Sequence, residues 1–171
     1  MNDTVVIGTL ATPLGLLGAA FTPRGLGRLA FASEGQAACE AWARRCLPGA
    51  ALVHGGPQLD ALAAQLAAYF DGRLRDFGVS LDLRGTPFQL AAWHGLLEVR
   101  YGEVRSYAAH AAAIGHPRAA RAVGAANGAN PIPILVPCHR LIGSNGSLVK
   151  YGGGLEVKRR LLELEDAPVR F

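Results

Sequence analysis

The chain has 171 residues, 50% apolar and 18% charged, enough for a sizeable core in at most two small domains and a balance that excludes both disorder and a coiled coil. Its formal charge of +4 is unevenly spread: through Gly85 seven arginines face seven acids, whereas from Thr86 eight arginines and two lysines face six acids. Three cysteines, Cys39, Cys46 and Cys138, form neither a Cys-x-x-Cys pair nor an even set, which argues against a disulfide scaffold and against a metal cluster.

The opening MNDTVVIGTLATPLGLLGAAFTPRG has no basic stretch ahead of its apolar residues, and Pro13, Pro23 and several glycines interrupt it well short of a membrane span. The expectation is a cytoplasmic protein that does not bind membranes. VVIGTL, LLGAAF and GRLAF are short β-prone runs divided by Thr-Pro, Pro-Arg-Gly and Gly turn signals, which predict a small antiparallel sheet. Two helices follow, one within residues 34–46 and one over residues 57–70, where Leu59, Leu62, Leu66 and Phe70 recur at helical spacing. Cys39 and Cys46 share a helix but sit about 10 Å apart along it, too far to bridge. This part is read as an α/β (α+β) domain, residues 1–84, with no recognisable chemistry.

The polar, glycine-broken DGRLRDFGVSLDLRG leads into Thr86-Pro87-Phe88-Gln89. Thr at the N-cap, Pro at the first helical position and Gln at the third predict a helix to about Val99, and the second domain is placed at residues 85–171. Two short helices are then expected. One runs from Ser106 to Ala113 with Ser106 as N-cap; the other runs from Arg118 to Asn127, with Pro117 at its start and Gly128 past its end. The pair reads as a helix-turn-helix or as an ordinary helical hairpin. RAARAVGAANG carries only Arg118 and Arg121 as long side chains, which fits a tightly packed internal helix or a surface that approaches a groove closely.

PIPILVPCHRLIG follows Asn130. Pro131, Pro133 and Pro137 are read as stiffening an extended segment that delivers Cys138 and His139 to a fixed place. A thiol of ordinary pKa, about 8.5, is only a few per cent thiolate at neutral pH, so a base must activate it. His139 is the candidate base. Side chains alternate along an extended strand, so a bridging water is expected between the two. In the last helix, LEVKRRLLELE, the positions Lys158, Leu161, Leu162 and Glu165 form one stripe while Glu163 lies opposite. With the leucines inward, Glu165 needs a buried partner, for which His139 and Arg140 have the right chemistry.

Thr86 to Glu165, through TPFQLAAWHGLL, YGEVRSYAAHAAAIG, RAARAVGAANGANPIPILVPCHR and YGGGLEVKRRLLELE, resembles the O6-alkylguanine-DNA alkyltransferases. The resemblance implies a ribonuclease-H-like N-terminal domain and a mainly helical C-terminal domain with a winged helix-turn-helix. It implies direct-reversal DNA repair without cofactor or metal: a monomer binds the minor groove of double-stranded DNA with little sequence preference and flips out the damaged nucleotide. The alkyl group, chiefly methyl, then passes once from O6 of guanine, or O4 of thymine, to Cys138. By position, His139 corresponds to the water-linked base, Glu165 to its orienter, and Asn130 to the asparagine hinge beside the thiol. Arg121 corresponds to the finger that replaces the flipped base, and Tyr107 to the tyrosine that crowds the 3′ phosphate and donates a proton towards the base. Ala119, Ala120 and Gly124 correspond to the small-residue surface that meets DNA. The carbonyls of Leu141 and Cys138 correspond to the readers of the exocyclic amine, with Tyr151 and Gly152 lining the pocket.

Two positions depart from the family pattern. Val149 and Lys150 stand where a Thr-Gly or Gly-Asn type pair usually precedes the tyrosine, and Ala129 replaces a basic or polar residue. The first is expected to narrow the range of bulky adducts, the second to remove a phosphate contact. A Cys-His-Glu thiol hydrolase is the alternative use of the same residues.

Overall fold

The computed structural model describes residues 3–170 and divides into two compact units, with the boundary in the chain between Leu83 and Arg84. The outermost residues of the two expected domains, Met1, Asn2 and Phe171, lie outside the described range. The fold is mixed α/β, and among the described residues no helix is long and apolar enough to cross a membrane.

In the first unit β1 (Thr4–Thr12), β2 (Gly15–Thr22) and β3 (Gly25–Ala30) form an antiparallel meander. The sheet is nevertheless mixed, because β4 (Ala51–His54) pairs parallel to β1 at the other edge, giving the order β3-β2-β1-β4. The purely antiparallel expectation fails here. A four-residue strand that is mostly exposed carries no alternating pattern to read, and its parallel pairing is set by the crossover through α1 (Gly35–Cys46). Cys39, Trp42 and Ala43 of α1 pack on the sheet face that bears Val5, Ile7, Ala20 and Ala30. On the opposite face α2 (Pro57–Phe70) approaches closely at Gly8, where an added Cβ would fall 2.5 Å from Leu59 Cδ1. The polar segment after α2 is not a free linker: Leu26 exchanges backbone hydrogen bonds with Ser80 and Asp82, and buried Asp82 accepts from the Thr22 hydroxyl at 2.7 Å.

The second unit begins with α3 (Pro87–Leu97), held at its start by the Thr86/Gln89 capping box in both directions. The Ser106 hydroxyl caps α4 (Tyr107–Ala113) by accepting from Ala109 N. The next helix, α5, spans Ala120–Gly128, later at both ends than expected. Pro117 stays in the connecting turn, where His116 N bonds Ala111 O and Ala119 N bonds His116 O, so the first helical residue comes three positions after the proline. Gly128 lacks the left-handed backbone of a helix-ending glycine and remains inside the helix, with Ala129 as cap.

Residues 131–140 depart most from expectation. The segment is compact rather than extended: Val136 N bonds Ile132 O, Ile134 has φ 76°, and every residue is buried. Proline lacks an N–H and has a fixed φ, so three prolines cannot sustain a strand ladder, and the chain folds on itself instead. Pro137 sits at φ −82°, ψ 63° with Cys138 N bonded to Val136 O at 2.8 Å, an inverse γ-turn that feeds the 3₁₀ turn Cys138–Arg140. A two-residue parallel pairing then joins β5 (Arg105–Ser106) to β6 (Leu141–Ile142), bringing the start of α4 beside this turn. The last helix, α6 (Leu155–Leu164), buries Lys158, Leu161 and Leu162, with Glu165 as its buried C-cap residue.

Candidate active site

The chemistry gathers on the 3₁₀ turn of the second unit. Cys138 is 5% exposed. The Asn130 carboxamide holds it from one side: Nδ2 donates to Val136 O at 2.8 Å and to Sγ at 3.1 Å, while Oδ1 accepts from Ile132 N at 3.0 Å. One side chain therefore both closes the proline turn and offers the sulfur a donor. Burial pushes the thiol pKa up, against the Asn130 donor, the Lys158 charge and the Tyr151 hydroxyl, which favour thiolate. The resting group is the neutral thiol.

His139 is fully buried, with Nε2 2.8 Å from Glu165 Oε1 and Nδ1 without a hydrogen-bond partner among the described residues. Glu165 also takes a bidentate contact from Arg140, Nε to Oε2 at 2.8 Å and Nη2 to Oε1 at 3.0 Å, and Arg140 Nη1 donates to Val99 O. Burial opposes the Glu165 charge, yet the bonds and charges of His139 and Arg140 outweigh it and hold the carboxyl at about 2. Burial lowers the His139 pKa against the pull of Glu165. The imidazole is neutral, with Nε2–H given to Glu165 and the Nδ1 lone pair available as a base. Since Cys138 and His139 follow one another in a 3₁₀ turn, strand alternation is not what separates them; the turn and the Glu165 bond set the ring's direction.

Tyr107, first residue of α4, is half-buried, and its ring centroid lies 5.7 Å from Lys158 Nζ. Burial and the neighbouring Cys138 raise its hydroxyl pKa, while Asn127 works against them. The Cys138 carbonyl accepts from Leu141 N and, at 3.4 Å, from Asn127 Nδ2; the Leu141 carbonyl accepts from Lys158 Nζ. Tyr151 is buried and Gly152 exposed, and Val149 and Lys150 are exposed beside them. Arg121 is exposed on α5, and Ala119, Ala120 and Gly124 are half-buried at or near its start. Two hydrogen-bonded pairs, Asn130 with Cys138 and His139 with Glu165, thus stand on adjacent residues of one turn, whereas Arg121 lies exposed on α5.

Two residues of this neighbourhood have no assigned role in the sequence reading. Asn127 shows no signal there beyond its place near a helix end. Lys158 shows one: a lysine in the inward stripe of an amphipathic helix must have buried partners.

Residues 87–167 match the family described as 6-O-methylguanine DNA methyltransferase, DNA binding domain. The inducible methylated-DNA-protein-cysteine methyltransferase of Bacillus subtilis strain 168 is 49% identical over 124 residues, 72% of this chain and 69% of that protein. This chain belongs to the O6-methylguanine DNA methyltransferase family. The Mycobacterium bovis methylated-DNA-protein-cysteine methyltransferase is 62% identical over 101 residues, 59% of this chain and 61% of that protein. A crystal structure of Mycobacterium tuberculosis OGT in complex with DNA superposes with a TM-score of 0.81 at 43% identity, covering 96% of this chain and 95% of that one.

Proposed function

We propose that the chain repairs DNA by transferring an alkyl group from O6 of guanine to Cys138, once per molecule. The observation that carries this is the buried Cys138 thiol with Asn130 Nδ2 on its sulfur and, on the next residue, a neutral imidazole held by Glu165 with Nδ1 unpaired. Family membership and the DNA complex of a similar protein support the substrate class.

In this reading the damaged nucleotide leaves the stack, because a buried sulfur cannot reach O6 within a duplex. His139 takes the thiol proton through a bridging water, Glu165 stabilising the imidazolium. The thiolate attacks the alkyl carbon in line; the S–C bond forms, the C–O6 bond breaks, and its electron pair stays with the guanine. The base takes a proton from the Tyr107 side, and the proton released by the thiol balances it. A thioether is not hydrolysed under these conditions, so the acceptor is spent. The Cys138 and Leu141 carbonyls, both acceptors, suit the exocyclic amine of guanine.

For binding, α4 and α5 act as a winged helix-turn-helix. The small residues Ala119, Ala120 and Gly124 let α5 lie close against the minor groove, while Arg121 fills the place of the flipped base without reading sequence. The first unit serves as a ribonuclease-H-like structural domain, the two domains being residues 1–84 and 85–171. The protein works as a cytoplasmic monomer.

A thiol hydrolase would use the same triad but needs N–H donors aimed at a developing oxyanion. Here Cys138 N is committed to Val136 O and Arg140 N to Pro137 O, which favours alkyl transfer. The test is incubation with a duplex containing O6-methylguanine, followed by peptide mapping by mass spectrometry. A stoichiometric methyl on Cys138 is expected; repeated turnover, or methylation elsewhere, sinks the reading.

A further inference from the structure

The turn at 99–103 packs against the acid end of the site. Glu103 N bonds Arg100 O at 3.0 Å, and Gly102 takes a left-handed backbone at φ 78°. An added Cβ at Gly102 would fall 3.0 Å from Glu165 O, so the glycine lets the turn lie directly on the end of α6. From here come four contacts to one buried ion pair and to the helix end that bears it. Val99 O accepts from Arg140 Nη1, Gly102 N lies 3.5 Å from Glu165 Oε2, and the Tyr101 hydroxyl donates to Leu164 O at 3.0 Å. The fourth is a ring face: Arg140 Cζ stands over the half-buried Tyr101 ring, 5.9 Å from its centroid. The Arg140 and Glu165 side chains are 8% and 0% exposed, so little solvent screens the pair.

We propose that Tyr101 is a positioning residue for the His139 base: the negative face of its ring, tethered by the hydroxyl to Leu164 O, holds Arg140 on Glu165 and keeps the imidazole neutral at rest. The inference rests on the alkyl-transfer reading above, in which His139 must be free to take the thiol proton. Glu165 Oε1 is shared between His139 Nε2 and Arg140 Nη2. Whatever loosens Arg140 therefore leaves more of the carboxylate charge to His139 and favours imidazolium. A ring face attracts a guanidinium and also keeps water from one side of it. The charged groups facing His139 are Glu165 at the end of α6, Lys158 within α6, and Arg140 on its own turn. Burial, Arg140 and Lys158 lower the His139 pKa against Glu165. Loss of the ring admits water and frees Arg140, and both changes raise it.

The experiment titrates the His139 Cε1–H resonance by NMR in wild type, Tyr101→Phe, Tyr101→pentafluorophenylalanine and Tyr101→Leu, with His139→Gln for assignment. Tyr101→Phe loses the hydroxyl tether but keeps the ring, so stability should fall while the His139 midpoint stays close to that of wild type. Tyr101→Leu should raise the midpoint by about half a unit or more, about threefold in the protonation equilibrium. Pentafluorophenylalanine has nearly the shape of phenylalanine but a positive ring face, so its midpoint should lie above that of Tyr101→Phe by a similar amount. A folded Tyr101→Leu with the wild-type midpoint overturns the proposal, as do equal midpoints in Tyr101→Phe and Tyr101→pentafluorophenylalanine. If Tyr101→Leu does not fold, the comparison of the two aromatic variants decides. No DNA enters these titrations, so failure of wild-type protein to take a methyl from O6-methylguanine would sink the alkyl-transfer reading separately.

Discussion

Replacing Glu165 with Gln keeps the shape of the most connected buried carboxyl and removes its charge. The carboxyl is held at about 2, against an ordinary value of 4.5, so at pH 7 the charged form contributes about 3 kcal/mol to stability. The cost of leaving one partner of a buried ion pair uncompensated is about 3–5 kcal/mol, here because Arg140 would remain buried against a neutral amide. Both routes give a loss near 3 kcal/mol at pH 7. A folded-state pKa below the unfolded one means this stability is present above about 4.5 and is lost as the pH falls towards 2. His139 is also lowered, so its contribution fades in the same direction, beginning at its ordinary value near 6.5. Urea unfolding read by Trp93 in a Trp42→Phe background isolates the second unit, since these are the chain's two tryptophans. The acid-dependent loss below pH 4.5 should be present in His139→Gln and absent from His139→Gln/Glu165→Gln. Arg140→Met should cost far less in the Glu165→Gln background than in wild type. A Glu165→Gln cost under about 1 kcal/mol at pH 7, or no coupling to Arg140, refutes this account of the network.

Asn130→Ala leaves Ile132 N buried without its partner and takes from Val136 O one of its two donors, Cys138 N remaining, which should destabilise the second unit by about 1–3 kcal/mol and raise the thiol pKa; an unchanged iodoacetamide pH profile at Cys138 contradicts the sulfur contact. Arg121→Ala should slow alkyl transfer from duplex DNA and leave transfer from the free modified base unchanged, and equal slowing on both dismisses the finger role. Gly95→Ala would put a Cβ 2.6 Å from Ile114 Cγ2 and 3.0 Å from His110 Cε1. Overpacking at about 1–3 kcal/mol exceeds the helix-propensity gain of about 1 kcal/mol, so Trp93-monitored stability should fall. Burial raises the Cys39 thiol to about 12, so iodoacetamide at pH 8.5 should leave it unlabelled until the protein is denatured.

What was legible in the sequence was what is local. The Thr86/Gln89 box and the Lys158-Leu161-Leu162-Glu165 stripe are each set within two turns of helix, and the structure has both. Glu165 meets His139 and Arg140 because an inward carboxylate must find partners and these are the polar groups of the adjoining buried turn. The misread stretch is 131–139, where the prolines indicated stiffness but not direction. The turn there depends on the positive φ of Ile134, the γ-turn at Pro137 and the Asn130 clamp, none of which has a periodic signature. Non-local pairings were also invisible: β4 is short and exposed, and the two-residue match of Arg105-Ser106 with Leu141-Ile142 leaves no pattern. That second pairing carries Tyr107 to the site, so its position is a tertiary fact.

The charges around the turn explain why Arg140 follows His139. A carboxylate bonded to a histidine alone would favour imidazolium, and an imidazolium cannot accept a thiol proton. Arg140 neutralises Glu165 through two hydrogen bonds, so the carboxylate can orient Nε2–H while the ring stays unprotonated. Only when the proton arrives from Cys138 does the ring become charged, and Glu165 is then already aligned to stabilise it. The arrangement thus separates orientation, present in the resting protein, from charge stabilisation, which grows as the thiolate forms. Arg140→Met would collapse that distinction: His139 would rest as imidazolium at a higher pH than in wild type, and Cys138 would lose its base over the same range.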